Sequence, residues 1–470
     1  MPERVRGPFF RSDAEPDILV RLERDILKGV PARYAPVKER LAFGKGRRRV
    51  LPRTEQGVLK AWAGRPDPLA TLLKTSRGRL PELLPIKWGR MAASPFGFFR
   101  GAVPVMALDL ARSAVTRIRV QMCGDAHVRN LGAFAAPDGH LVFDINDFDE
   151  TMPGPWEWDV KRLAASLVLA GREAGDGDSL CAEAAKELVF SYRAALKSFS
   201  LMSALDLARF EVRRYRSGPV ARVLAMAERA TPLHSLEKLT VASRGGVRKF
   251  PKRPPLLLPL EKDKARRVIA SLKAYRDTVS DDRQLVLEAY RLVDVAFKVV
   301  GTGSVGTRDY AVLAFGDGAD HPLFLQVKEE PPSSYAGVLP GVARRLHEGR
   351  RVAQGQHRMQ TVSDPFLGWT SLAGRDYLVR QLADHKATIE PAQLKGAALK
   401  EYARVCGEVL AKAHARTGDA AILYGYCGDT DRLDRAIGKF AVAYADRTES
   451  DHAAFLKAIR AGRIRARTGV

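Results

Sequence analysis

The sequence predicts an α+β protein built in two lobes, and three observations carry that expectation. VDVAFKVV, RDYAVLAF and PLFLQVKEE read as strands within a strand-rich unit over 293–382. Segments with apolar residues at helical spacing lie on both sides of it: WDVKRLAASLVLAGREAG and DSLCAEAAKELVFSYRAAL before, EYARVCGEVLAKAHART after. The chain has 470 residues, 46% of them hydrophobic, enough for a large two-lobed core or two to three domains.

Taken in order, residues 1–84 form a mostly helical extension, with LERDILKGV and GVLKAWAG as short amphipathic pieces. Residues 85–244 begin the helical lobe. There ASPFGFFRG reads as an aromatic loop leading into a helix over 102–113, and RIRVQM (117–122) as a strand. GGVRKFPKRPPLLLPLEK, rich in Gly, Pro and charge, marks 245–292 as a linker and connecting helix. In the strand-rich unit GTGSVG and GDGADH separate the three strands, a helix is expected over 341–360, and WTSLAGRDYLVRQL reads as a hairpin. Residues 383–470 return as helices.

Composition narrows the partners. Lys and Arg number 77 against 54 Asp and Glu, a net charge of +23, which favours anionic partners. The basic runs are not interleaved with aromatic residues, and no zinc-finger or RNP-type motif is present, so charge alone does not make a nucleic-acid binder. The four cysteines lack CxxC spacing, which fits a reducing compartment and excludes a zinc ribbon. With no apolar run of about 20 residues, no membrane span is expected, and the opening MPERVRGPFFRSDAEPD lacks a signal-peptide core. A cytoplasmic protein is the expectation.

The chemistry-bearing residues fall in two groups. Gly301, Gly303 and Gly306 form GxGxxG after a strand. The segment that follows is a strand and not a helix, so a glycine hairpin over phosphates fits better than a dinucleotide turn. Lys328 ends the third strand, and Glu348, in the helix expected next, is placed to orient it. Together these suggest an ATP-binding lobe. The second group is CGDAHVRN at 123–130 and VFDINDFDE at 142–150. Phosphoryl transfer asks for a carboxylate to orient or deprotonate the acceptor and for oxygen ligands to Mg2+. Asp125 suits the first task, Asn130 and Asp147 the second.

GDAHVRN followed by NDFDE resembles the signatures of aminoglycoside phosphotransferases and other protein-kinase-like enzymes. GPWEWDVKRLA is similar to the next segment of those enzymes, where Asp159 matches a structural Asp beneath the catalytic loop. GDAHVRN, FDINDFDETMPGPWEWD, GTGSVGTR, LQVKE, EGRRVAQGQ and LAKAHART together resemble a widespread bacterial family of unknown function, over most of 85–446. The resemblance implies a protein-kinase-like fold and an ATP- and Mg2+-dependent phosphotransferase acting on an unidentified acceptor hydroxyl.

This chain departs from that pattern in three ways. Cys123 stands where a His is usual. The interval from Asn130 to Asp147 is long, which leaves Asp144 and Asp149 as alternative metal ligands. The glycine turn and lysine follow the Asp125 loop, an order that implies circular permutation, and LAKAHART looks like the helix that normally precedes that loop.

Other readings remain open in the sequence. Asp125-x-His127 is also a metallophosphatase pair, but the other histidines stand alone. A nucleotide-binding scaffold without turnover, or AMP transfer from the same cleft, uses the same residues. Trp156 and Trp158 read as core or loop anchors. Arg308 is a phosphate contact or a solvated strand residue, and Arg100 a structural arginine or part of an acceptor site.

Overall fold

The computed structural model describes residues 30–60, 62–212, 218–243, 247–299, 301–339, 347–382 and 385–469. LERDILKGV, apart from Val30, and positions 341–346 of the helix expected over 341–360 lie outside the described residues. The strands are β1 (Arg119–Met122), β2 (Leu131–Ala135), β3 (Leu141–Ile145), β4 (Met152–Pro155), β5 (Val241–Ala242) and β6 (Arg248–Lys249). They continue as β7 (Leu257–Pro259), β8 (Arg291–Lys298), β9 (Asp309–Phe315), β10 (Pro322–Glu329), β11 (Gly368–Leu372), β12 (Arg375–Gln381) and β13 (Ala387–Thr388). The fold is mixed α+β with several antiparallel sheets.

The largest sheet has the order β11-β12-β10-β9-β8-β7, antiparallel throughout. Side chains alternate across it, as the pleat requires. Tyr310, Val312 and Ala314 of β9 face a core shared with Val268, Leu272 and Tyr275 of the Lys262–Arg276 helix. Ala311 and Leu313 face the opposite core with Leu236, Phe250 and Phe324. Both faces of β10 are covered, so every position from Pro322 to Glu329 is buried, Gln326 and Lys328 included. The two hairpin turns fall where expected: Gly316 N donates to His321 O at 3.0 Å, and Ala373 and Gly374 both take positive φ between β11 and β12.

Below the sheet stands a helical body. The Trp156–Glu173 helix is buried along almost its whole length and packs against the Asp178–Phe199 and Arg432–Arg460 helices. Trp156 stacks on Tyr192, centroids 5.6 Å apart, and its indole N–H donates to Thr116 Oγ1 at 3.0 Å. Buried aromatic area of this kind dominates core energetics while the hydrogen bond removes the cost of the polar atom. Among the described residues, no helix is long and apolar enough to cross a membrane.

Three local expectations need correction. The described residues of GVLKAWAG do not form an α-helix. A short 3-10 turn ends at Gly57, where an added Cβ would stand 2.8 Å from Ala436 O, so a close backbone approach takes the place of a helix face. The aromatic stretch expected as a loop is helical over Pro95–Gly101, because Ser94 Oγ caps Gly97 N at 3.0 Å and Pro95 suits the first turn. The expected linker contributes an edge strand: Leu257 of β7 is buried and pairs with Lys298.

The Glu348–Met359 helix sits on β12 through Gly349, where an added Cβ would lie 2.2 Å from Tyr377 O. Gly349→Ala should therefore cost about 1–3 kcal/mol of stability, read as a lower urea midpoint. An unchanged midpoint would mean that the helix does not rest on the strand this closely.

Candidate active site

The loop of residues 123–130 is held from beneath. Gly124 has φ +83°, and an added Cβ would stand 2.3 Å from Glu150 O, so the turn needs glycine. The Asp159 carboxylate accepts from Cys123 N at 2.8 Å and Gly124 N at 3.0 Å. His414 Nε2 lies 3.2 Å from Asp159 Oδ2, with Nδ1 2.8 Å from Tyr192 Oη. A histidine from a distant helix thus joins the Cys123 and Gly124 amides on the same carboxylate. Tyr335 Oη donates to Gly124 O at 2.7 Å, and Asn130 Nδ2 donates to Asp125 O at 2.9 Å.

This bracing presents Asp125. Its Oδ1 accepts from Arg162 Nε at 2.8 Å and Nη2 at 2.6 Å, while Oδ2 lies 3.7 Å from His127 Nε2. Arg162 is wholly buried, its guanidinium 4.2 Å above the Phe99 ring. Burial pushes the Asp125 carboxyl up, with Arg162 pulling the other way. Burial, then the charges of Arg100 and Arg162, hold His127 well below its ordinary value, so the ring is neutral.

Between β3 and β4 the acidic turn faces the sheet. Lys328, at the end of β10 and 3% exposed, places its ammonium on both carboxylate oxygens of Asp149. Asp147 Oδ1 is 4.0 Å away and Glu330 Oε1 3.7 Å. Burial opposes ionisation of Asp149, but Lys328 outweighs it and holds the carboxyl well below its ordinary range. Burial and then Asp149 push Asp147 up to about 7. Glu330 is fully buried, both its oxygens lack a hydrogen bond, and burial followed by Asp149 drives it well above the usual value. One lysine therefore serves three acids, and only Asp149 is firmly ionised.

Arg351 fixes this turn to the helix beside it, donating to Thr151 O at 2.8 Å, Asp149 O at 2.9 Å and Pro331 O at 3.2 Å. Glu150 accepts from Ser334 N at 2.6 Å and Ser333 Oγ at 2.9 Å, tying down the chain after β10.

The glycine turn closes the third side. Gly301 (φ +65°) and Gly306 (φ +93°) need left-handed backbone. Arg90 donates to Gly301 O, Arg79 to Val305 O at 2.7 Å, and Leu80 N to Gly306 O at 2.7 Å. An added Cβ on Gly303 would stand 3.6 Å from Arg100 O. Arg308 donates to Glu329 Oε2 at 3.0 Å, an ion pair within the sheet.

Two expected roles are corrected. Glu348 is not the partner of Lys328: Arg351, one turn along the same helix, takes the Glu348 carboxylate, and Asp149 takes Lys328. Asp144 is not in the acidic turn; it is buried and paired with Lys412. Asp147 and Asp149 meet at Lys328, Asn130 braces Asp125, and Gly303 lies against Arg100. Among the described residues no three His, Cys, Asp or Glu side chains are gathered as a ready metal set, and Asp149 is turned to Lys328. Arg162, Glu330 and Arg351 were missed, since each reads as an ordinary solvated charge in sequence. Arg351 at least lies within EGRRVAQGQ.

The protein is mixed α+β, with a buried sheet lysine that meets an acidic turn 179 positions away in sequence. The chain belongs to DUF2252, described as an uncharacterized protein conserved in bacteria, whose model matches residues 79–458. No curated protein and no solved structure matches it.

Asp159→Ala would orphan two buried amides and His414, and should cost about 3 kcal/mol or more, measured as a drop in Tm. A negligible drop would deny the carboxylate its bracing role. Asp147 takes up its proton near pH 7 in the folded chain against an ordinary 3.8. The folded state therefore binds more protons between those values, and stability from this group falls as pH rises through that window. Asp147→Asn should melt above wild type at pH 8, with the gap shrinking toward pH 4. A gap that widens on acidification would reverse the assignment.

Proposed function

We propose that this chain is an ATP- and Mg2+-dependent phosphotransferase with a protein-kinase-like, circularly permuted fold. The carrying observation is the Lys328 ammonium on Asp149, residues separated by 179 positions. Protein kinases place a glycine-rich turn over the phosphates, a lysine on the third strand and a glutamate on the next helix. Here the turn lies between β8 and β9, Lys328 on β10 and Glu348 on the helix that follows. In the permuted reading the chain builds the Asp125 loop and acidic turn first and the sheet second. It then returns through the Ala397–Thr417 helix, whose Lys412 and His414 reach Asp144 and Asp159.

Roles follow from atoms. The glycine turn and Lys328 hold the triphosphate of ATP. Asp147, Asp149 and the Asn130 side-chain oxygen are hard donors, and the mutual repulsion that lifts Asp147 is what a divalent cation relieves. Mg2+ bound there neutralises phosphate charge. Arg162 occupies Oδ1 of Asp125 and leaves Oδ2 to the acceptor. Oδ2 takes the hydroxyl proton while the acceptor oxygen bonds to the γ-phosphorus. The bond from that phosphorus to ADP breaks, and ADP leaves with the electron pair. Burial, by raising Asp125, makes it the better proton acceptor.

A non-catalytic nucleotide-binding scaffold is the second reading, favoured by the Glu348–Arg351 pair that leaves Lys328 without a helix partner. Thermal melting with ATP, with and without Mg2+, tests both. Wild type should gain Tm with Mg2+ and ATP, and Lys328→Met should lose that gain. Asp125→Ala should keep it while ADP release falls by about 10³-fold or more. No Tm gain in wild type sinks both readings; a gain without release of ADP by any acceptor leaves the scaffold.

A further inference from the structure

The Pro95–Gly101 helix is wedged between two walls of the cleft. On one side Phe99 O accepts from Arg162 Nη2 at 3.1 Å, and the Phe96 ring meets His127 edge-on at 6.0 Å. On the other, Arg100 O faces Gly303. Arg100 therefore stands where the Asp125 loop and the glycine turn come together.

Its guanidinium is unmatched. Arg100 Nε is buried without a hydrogen bond, and among the described residues its side chain takes no hydrogen bond or ion pair. Lys328 has Asp149, Arg162 has Asp125 and Arg351 has Glu348, while Arg129 meets Glu390 at 2.8 Å through one terminal nitrogen and keeps a buried Nε without a hydrogen bond. Burial, helped by the charge of Arg129, draws Arg100 down to about 10, against the pull of Asp125, Glu390 and Asp147; it remains a cation at pH 7. Leaving a buried guanidinium Nε without a partner is costly, and the half-buried planar fork matches an oxyanion in two parallel hydrogen bonds.

We propose that Arg100, supported by Arg129, binds an anionic group of the acceptor, which is then an alcohol bearing a phosphate or carboxylate. This rests on the phosphotransferase reading for the word acceptor, but the anion site stands on its own geometry. The site belongs to the acceptor and not to ATP, because Lys328 and the glycine turn already serve the triphosphate while Arg100 acts on the Asp125 side. An aminoalcohol acceptor would put its cation against this guanidinium and is disfavoured.

The test titrates full-length protein with inorganic phosphate, and separately acetate, against chloride at equal ionic strength. Melting is followed without nucleotide and at saturating Mg2+ and β,γ-imido-ATP. Wild type should be stabilised by at least one anion in both settings. Arg100→Gln should weaken that anion about tenfold or more, Arg100→Lys should retain part of it, and all three should respond alike to Mg2+ and imido-ATP. The proposal is overturned if wild type binds neither anion, if Arg100→Gln binds as wild type, or if Arg100→Gln loses the nucleotide response equally. An Arg100-dependent anion shift in a protein that ignores nucleotide would keep the oxyanion site and remove the phosphotransferase reading.

Discussion

The buried ammonium of Lys328 constrains everything around it. Removing a lysine from water costs several kcal/mol, and only a close carboxylate with good geometry offsets that. β10 carries Lys328 out of an apolar run with both faces covered, so solvent cannot supply the compensation. The acidic turn between β3 and β4 must therefore lie against the end of the sheet. Once it does, Thr151 O and Asp149 O come within reach of Arg351, and Glu150 within reach of Ser333 and Ser334. A single desolvated charge thus sets the distance between sheet and helical body.

The same pair leaves the cluster unbalanced. Asp147, Asp149 and Glu330 surround one ammonium, with Arg380 contributing field through bonds to Gln326 Oε1 at 2.9 Å and Asn146 O at 3.3 Å. Burial, and after it the Asp149 charge, raises both Glu330 and Asp147, which favours their neutral forms and relieves the excess. Groups pushed apart in this way cluster at functional sites. Here the less buried Asp147 keeps access to the cleft while Glu330 is sealed, which separates a group that can meet a ligand from one that cannot.

Much of this was legible in the chain because it depends on local pattern. β8, β9 and β10 follow from apolar runs bounded by GTGSVG and GDGADH, and Asp125, Asn130, Asp147 and Asp149 stand out as carboxylates and an amide gathered in short turns. What escaped depends on which way a side chain points. EGRRVAQGQ offers two adjacent arginines, and nothing local says that Arg351 faces inward and takes Glu348. Arg162 in DVKRLA reads as a solvated helix charge, yet it is buried under Phe99. Ser94-Pro95 was a helix start signal obscured by Gly97 and three phenylalanines.

The last consequence concerns order along the chain. Asp159 and Asp144, which shape the two loops, are completed by His414 and Lys412, 255 and 268 positions later. Both partners lie on one helix, two residues apart, so a single docking event supplies the missing cation to Asp144 and the missing ring to Asp159. Until that helix forms, each carboxylate is a buried charge without full compensation, a state that folding disfavours. The two loops therefore reach their full hydrogen bonding only with that helix docked. Contacts of such separation carry a loop-closure cost that short-range helices avoid. The two halves of the cleft accordingly stand or fall together: the residues that close it belong to neither half of the sequence alone.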